Sequence, residues 1–421
     1  MGILTHAAYS ALDHQHYGGD TRSYLIPADN LLHGQGFVNA GHQPELFRTP
    51  GYPFLLAIFR FAPLRVEYLI FVQHVLCVFL IVGVAVFAQR STGSDLVAFV
   101  AALVLSLDMA TLRMANLLLT EITFTVLIAL SAWAIYRTMT KPADNILASA
   151  VAGFLGGCAV LVRPVGILYF VPLSICLVWA LKRRALRPVL IFVLSFLLLP
   201  LVWATRNFVE AGYFGVSTVG AQDILYDQAV GTLAIQRPGD YPANVLKVRG
   251  ELTDQMCSDL ERAYKRKCSQ VTESQKAAYS MRKGMSIILR NPVSRFRSVL
   301  QALAYIIFGG GAEALSRISD TSPRIAQYIV LLFTVPYACL ALVGCWYWYR
   351  RDRNLCYVLV LSIVYFLVIS ALGVQADSRL RVPVMPMYAL LIGGGTAGIV
   401  QLIQRTRTSR MASAHPIAPQ S

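Results

Sequence analysis

The stretch EYLIFVQHVLCVFLIVGVAVFA, Glu67 to Ala88, decides the fold class. It runs 22 residues with no Asp, Glu, Lys or Arg after its first position. Wound as a helix it reaches about 33 Å, enough to cross a hydrocarbon core of about 30 Å. Apolar length marks eight more spanning segments: Leu96–Leu112, Leu117–Tyr136, Ile146–Val162, Val165–Leu181, Pro188–Ala204, Ile325–Tyr349, Leu355–Gly373 and Val382–Ile403. Tyr52–Phe61 is apolar but too short to cross and reads as an interfacial helix. Ser298 to Gly311, SVLQALAYIIFGGG, takes the same reading. The composition agrees. Of 421 residues 56% are hydrophobic and only 14% charged, and mean hydropathy is +0.56. A soluble protein carries about 25% charged residues.

The formal charge of +15 would suggest nucleic acid in a soluble chain. Here it follows the connections between spans. One alternate set, built around Arg90, Arg137, Lys182–Arg187, Arg350–Arg353 and Arg405–Arg410, holds 13 Lys and Arg. The other short connections hold 4: Arg113, Arg163, Arg379 and Arg381. The richer side is cytoplasmic by the positive-inside rule. Residues 1–66 and 205–324 then face out, around bundles at 67–204 and 325–404, and the tail 405–421 faces in. Residues 1–20 lack the basic start and apolar core of a cleavable signal peptide.

Of eight cysteines, six sit in or beside apolar segments and read as small buried hydrophobes. Cys257 and Cys268 share a polar loop, where an oxidising compartment would allow a disulfide. Asp13, His14 and His16 read as a polar loop or as a partial metal site with no evident fourth ligand. There is no Walker A and no dinucleotide fingerprint, and Gly393 to Gly398 inside the last span reads as close helix packing.

The polar residues at the outer ends of the spans need a reason. Asp20 precedes a helical pattern in which Tyr24, Leu25, Ala28, Leu31 and Leu32 form one apolar stripe, with Gly34 as its stop and Pro27 as a kink or a later start. It reads as an N-cap or as a base at the membrane surface. Glu121, near the outer end of the third span, needs a partner or a cavity. Arg113, eight residues earlier, is one candidate partner. Arg48 follows as a snorkelling residue or a phosphate clamp. Arg163, Arg206, Arg379 and Arg381 lie at outer ends of spans, and four arginines at one level suit an anionic ligand.

Together these motifs resemble the GT-C superfamily of polytopic membrane glycosyltransferases. GDTRSYLIPADNLLHGQGF followed by RTPGYPFLLA is similar to that family's first outer loop, which has Asp20, Tyr24-Leu25, a Gly-x-Gly-Phe turn, then Arg48 and Tyr52-Pro53 at the family's positions. LLLTE, LVRP, WATRN and RLRVPVMP match later landmarks in the same order. The style resembles bacterial relatives of protein O-mannosyltransferases and the lipid A aminoarabinose transferase. The resemblance implies an all-α bundle of about nine transmembrane helices with an extracytoplasmic first loop and a larger extracytoplasmic loop. It implies a sugar donor on polyprenyl phosphate, used in the cell envelope at the outer face of what is expected to be a bacterial inner membrane. The acceptor is a lipid, glycan or protein. Asp20 carries over as the base and Glu121 as an acidic position of variable role. Arg379 and Arg381 carry over as phosphate ligands, with Tyr24, Arg48, Tyr52, Arg163 and Arg206 as further substrate contacts. The family's pattern has a spanning helix before this loop, and this sequence departs from it.

The chemistry is self-consistent. A carboxylate removes the acceptor's proton, arginines stabilise the leaving phosphate, and no nucleotide site is needed. The reading calls for no cofactor and leaves room for a divalent metal. Two alternatives stand beside it: a transporter or flippase of a lipid-linked or anionic substrate, which would show broken helices at mid-membrane, and a non-catalytic scaffold of the same fold.

Overall fold

A computed structural model describes residues 1–61, 67–141, 145–373 and 378–414. The expected domain boundary at residue 66 and the end of the C-terminal tail, from residue 415, lie outside the described residues. The described chain is helical. It opens with α1 (Gly2–Leu12), α2 (Thr21–Leu32) and α3 (Gly51–Phe61), followed by α4 (Glu67–Thr92). Then come α5 (Asp95–Leu107), α6 (Met109–Asn116), α7 (Glu121–Thr140), α8 (Asn145–Val162), α9 (Phe170–Leu181) and α10 (Leu186–Ala211). A helical subdomain holds α11 (Val219–Asp223), α12 (Val230–Ala234), α13 (Tyr241–Tyr264), α14 (Glu273–Arg290), α15 (Pro292–Phe308) and α16 (Ala312–Ser319). Three long helices close the fold: α17 (Pro323–Arg351), α18 (Arg353–Gly373) and α19 (Met385–Ala414).

Among the described residues seven helices are long and apolar enough to cross a membrane, or nine if each of two bent pairs counts as one span. Three boundaries differ from the sequence expectation, each for a local reason. Leu96–Leu112 is not one helix. It breaks at Asp108 with a bend of 53°, because the Asp108 carboxylate caps α6 through Thr111 N (2.9 Å) and Thr111 Oγ1 (2.6 Å). Leu117–Tyr136 begins late, at Glu121. The backbone before it pairs with the first loop instead, through Leu118 N to His16 O and Thr21 Oγ1 to Leu118 O. Ser298–Gly311 covers the end of α15 and the break after it; α15 pairs with α16 at a bend of 49° and is apolar enough to count with it as a broken span. The glycines Gly309–Gly311 form the break. Pro27 lies within α2 without ending it, and Ile146–Val162 is apolar but short for a span.

Close approach fixes the bundle. α17 and α19 pack so tightly that a Cβ at Gly395 would overlap the Leu340 carbonyl, as the sequence reading of Gly393–Gly398 expected. The main core runs through Phe124, Ile128, Tyr169, Phe192, Phe196, Trp348 and Phe366. The subdomain from α11 to α16 has its own core of Leu225, Val230, Val248, Leu252 and Leu260.

Cys257 and Cys268 are joined, tying α13 to the turn before α14. Closing an 11-residue separation is worth ~2–3 kcal/mol to this subdomain in the chain-entropy view. Replacing both cysteines by serine is therefore expected to lower its thermal stability while leaving the transmembrane bundle folded. A double variant that melts like the wild type without reductant would remove the disulfide from the stability of the subdomain.

Candidate functional site

The first loop is built to hold two side chains still. Glu45 is buried, and its Oε1 accepts from Phe47 N (2.6 Å) and Arg48 N (2.9 Å), which shapes the turn into RTPG. Thr49 Oγ1 donates to Val162 O at the end of α8. Gly51 then meets Leu161 so closely that a Cβ would come within 2.7 Å of its carbonyl oxygen. No larger residue fits there, so α3 starts hard against α8. The segment just before α11 grips the same turn through Ser217 Oγ to Phe47 O and Thr218 N to Leu46 O (2.8 Å).

Arg48, so fixed, lies over the Tyr24 ring (4.4 Å) and the Phe47 ring (4.6 Å). It donates from Nε to Ser23 Oγ (2.8 Å), from Nη1 to Tyr24 Oη (3.0 Å) and from Nη2 to Asp20 Oδ1 (2.8 Å). Asp20 occupies the N-cap position of α2, yet its side chain makes no cap hydrogen bond. Its second oxygen accepts from Arg379 Nη1 (3.0 Å), 359 residues away in sequence. The carboxylate thus serves arginines and leaves the backbone amides of its helix alone. Burial pushes its pKa up, but Arg48 and Arg379 outweigh burial and hold it below the ordinary aspartate value.

Glu121 heads α7 and is buried. The partner expected from helical spacing, Arg113, pairs instead with Glu313 (2.7 Å). Leaving the helix at Leu117–Thr120 destroyed that spacing. Arg163, N-terminal to the short turn Pro164–Gly166, pairs with Glu121 and also donates to Thr120 Oγ1 (3.2 Å). Arg379 Nη1 lies 3.9 Å from Glu121 Oε1 as well as 3.0 Å from Asp20. One guanidinium therefore bridges the two carboxylates.

These groups line one cavity of about 720 Å³ that Asp20, Tyr24, Arg48, Glu121, Arg163 and Arg379 share. The other expected ligands stand elsewhere. Tyr52 is fully buried and donates to Gln73 Oε1 (3.0 Å). Arg206 donates to the carbonyls of Phe37 (2.8 Å) and Glu45 (3.2 Å) and stacks near Trp203, bracing the first loop from behind. Arg381 is buried and paired with Asp108 at the break between α5 and α6. The cavity also takes in Asp223, Asp227 and Arg249 from the α11–α16 subdomain, which the sequence reading did not single out. Carboxylates in a polar loop are ordinary, and only the fold brings these to the site. Among the described residues no group of three or more His, Cys, Asp or Glu could hold a metal ion.

No protein-family model matches the chain, and no curated protein does. Two solved structures are similar in fold. One is the archaeal oligosaccharyltransferase AglB from Archaeoglobus fulgidus, in complex with an inhibitory peptide and a dolichol-phosphate. It is 12% identical with a TM-score of 0.46, over 100% of this chain and 52% of that one. This chain thus spans about half the length of that protein. The other is ArnT from Cupriavidus metallidurans bound to undecaprenyl phosphate. It is 13% identical with a TM-score of 0.41, over 94% of this chain and 76% of that one.

Proposed function

We propose that the chain transfers a sugar from a polyprenyl-phosphate donor to a lipid, glycan or protein acceptor on the extracytoplasmic side of a membrane. One observation carries the reading: Arg379 joins Asp20 and Glu121 inside a single cavity, beside Arg48 and Arg163. Sequence segments hundreds of residues apart converge there on an anion-binding group with a carboxylate next to it. In this reading Arg379 and Arg163 hold the donor phosphate, and Glu121 sets the position of both guanidiniums. Asp20 takes the proton from the acceptor's hydroxyl or amine as that atom bonds to the anomeric carbon. The bond from the anomeric carbon to the phosphate oxygen breaks, and the leaving phosphate keeps the electron pair under the arginines' charge. The test is mass spectrometry of envelope lipids and glycans from cells with and without the gene. A sugar mass missing from an acceptor, with its lipid-linked donor accumulating, is the expected result. Unchanged acceptors would overturn the reading.

A transporter is the second reading, and the two bent helix pairs favour it. Against it, the break at Asp108 is pinned by the buried Arg381 pair. Movement of a lipid-linked substrate with no new glycosidic bond would select the transporter.

The 13-to-4 bias of short-loop charges supports residues 1–61 and the α11–α16 subdomain facing out. Single engineered cysteines in intact cells check it with an impermeant thiol reagent. Labelling is expected in α13 and not beside Arg184, and the reverse pattern would invert the scheme.

A further inference from the structure

Asp223 ends α11, and the chain continues as a π-helix over Ile224–Ala229. Such wide turns recur at functional sites. Four residues apart, Asp223 and Asp227 both line the cavity that holds Asp20 and Arg379. The segment is held firmly. A Cβ on Gly284 of α14 would come within 2.7 Å of the Ile224 carbonyl oxygen. Arg249 of α13 donates from Nη2 to Asp227 Oδ1 (2.7 Å) and to Tyr226 O (3.0 Å), and its Nε is buried with no partner in the protein. This corner therefore has two carboxyl groups, one arginine and a donor left over.

The charges of the lining decide what such a corner suits. Arg48, Arg163, Arg249 and Arg379 face Asp20, Glu121, Asp223 and Asp227. If all were ionised, the lining would be neutral and would gain little from an anionic phosphate. Two carboxylates beside a single arginine cannot both ionise cheaply. Burial, and then repulsion from Asp227, push Asp223 up to about 8, although Arg48 and Arg379 pull the other way. With one proton kept on the pair, the lining is a net cation able to take phosphate. That proton lies in the hydrogen bond Asp223 donates to Asp227, so the pair presents acceptor oxygens beside the Arg249 Nε–H that has no partner in the protein. That mixture suits vicinal hydroxyls, each of which both donates and accepts. A site built around substrate hydroxyls also rejects analogues that lack them.

We infer that Asp223 and Asp227, braced by Arg249, recognise the transferred sugar by hydrogen-bonding its ring hydroxyls while the arginines hold the donor phosphate. The inference rests on the transferase reading and assigns its sugar specificity. It is tested by binding to the full chain in nanodiscs. The probes are bare undecaprenyl phosphate and the same lipid carrying glucose, galactose, mannose or arabinose. Wild-type protein is expected to bind at least one glycosylated lipid about tenfold tighter than the bare lipid, the worth of one or two net hydrogen bonds. Asp223→Ala keeps the Asp227–Arg249 pair and removes every polar side-chain atom at position 223. It should erase that gain and leave bare-lipid binding within about twofold, a change too small for a lost hydrogen bond. Asp223→Leu, of similar reach but with no polar atom, is the second variant should the first fold poorly. A gain that survives either substitution overturns the inference, as does wild-type protein that binds the bare lipid with no gain for any sugar. Loss of bare-lipid binding in both variants also overturns it, since the pair is then structural. Wild-type protein that binds no lipid phosphate at all sinks the transferase reading itself.

Discussion

Asp20→Asn is expected to leave a folded protein that still binds donor but turns over ~10²–10⁴-fold more slowly. The structure makes this substitution unusually informative. Asp20 sits at the N-cap of α2, but its side chain accepts no backbone hydrogen bond there, so α2 does not depend on that side chain. What the amide disturbs is the contact with arginines. Its oxygen can still accept from Arg48 or Arg379, while its NH₂ must face the other, so one of two contacts is lost. The carboxylate is a third exposed, and partly solvated pairs of this kind are worth about 0–1 kcal/mol. Melting should therefore shift little. Sugar transfer by the purified variant in lipid is the measurement. Near-normal turnover would take Asp20 out of the mechanism and leave Glu121 as the carboxylate to test.

The same contacts set the pH dependence. Arg48 and Arg379 hold the folded pKa of Asp20 below its ordinary value despite burial. A depressed carboxylate pKa contributes stability above the ordinary value of about 3.9, and this is lost as pH falls through the folded pKa. The proposed catalysis would run the same way, because a carboxylate acting as base must be ionised. The acid limb of the rate profile should thus lie below the usual aspartate range. So acidic a group is a weak base while both arginines stay on it. Donor phosphate bound to Arg379 would compete for that guanidinium and return basicity to Asp20 as the donor arrives.

Much of this was legible in the sequence because polar residues at the ends of apolar spans stand out. Glu121, Arg163 and Arg379 are marked that way, Asp20 and Arg48 by the polar first loop that precedes the spans, and the cavity holds all five. Spacing failed where the helix it assumed was absent. Arg113 and Glu121 are not on one helix, since Leu117–Thr120 leaves the helix to pair with the first loop. Arg379 and Arg381 are two residues apart in one short 3-10 segment, and no local pattern says which side chain turns to the cavity. Asp108 looked like part of a span because flanking apolar residues outweighed it. The break is a local cap on Thr111, but the residue that holds the buried carboxylate, Arg381, lies outside any window around Asp108.

That partition predicts opposite phenotypes for the two arginines. Arg379 lines the cavity and touches Asp20 at 3.0 Å, on a carboxylate that solvent still reaches. Arg379→Ala should cost donor use about a hundredfold or more, the worth of a charge-assisted contact or two, with a modest change in melting. Arg381 is different. Its side chain is 8% exposed, and that of Asp108 only 1%. Arg381→Ala leaves the Asp108 carboxylate buried and uncompensated, which costs about 3–5 kcal/mol. It also frees the junction where α5 meets α6, beside which Gly311 packs against Ala110. Arg381→Ala should therefore fail in expression and thermal stability before it fails in donor binding. The double change Arg381→Leu with Asp108→Asn should recover much of the stability, because no charge is then stranded, while Asn still caps α6. Melting in detergent beside binding of undecaprenyl phosphate distinguishes the two roles. A stable Arg381→Ala protein that has lost donor binding, beside an Arg379→Ala protein that keeps it, would exchange the roles of the two arginines.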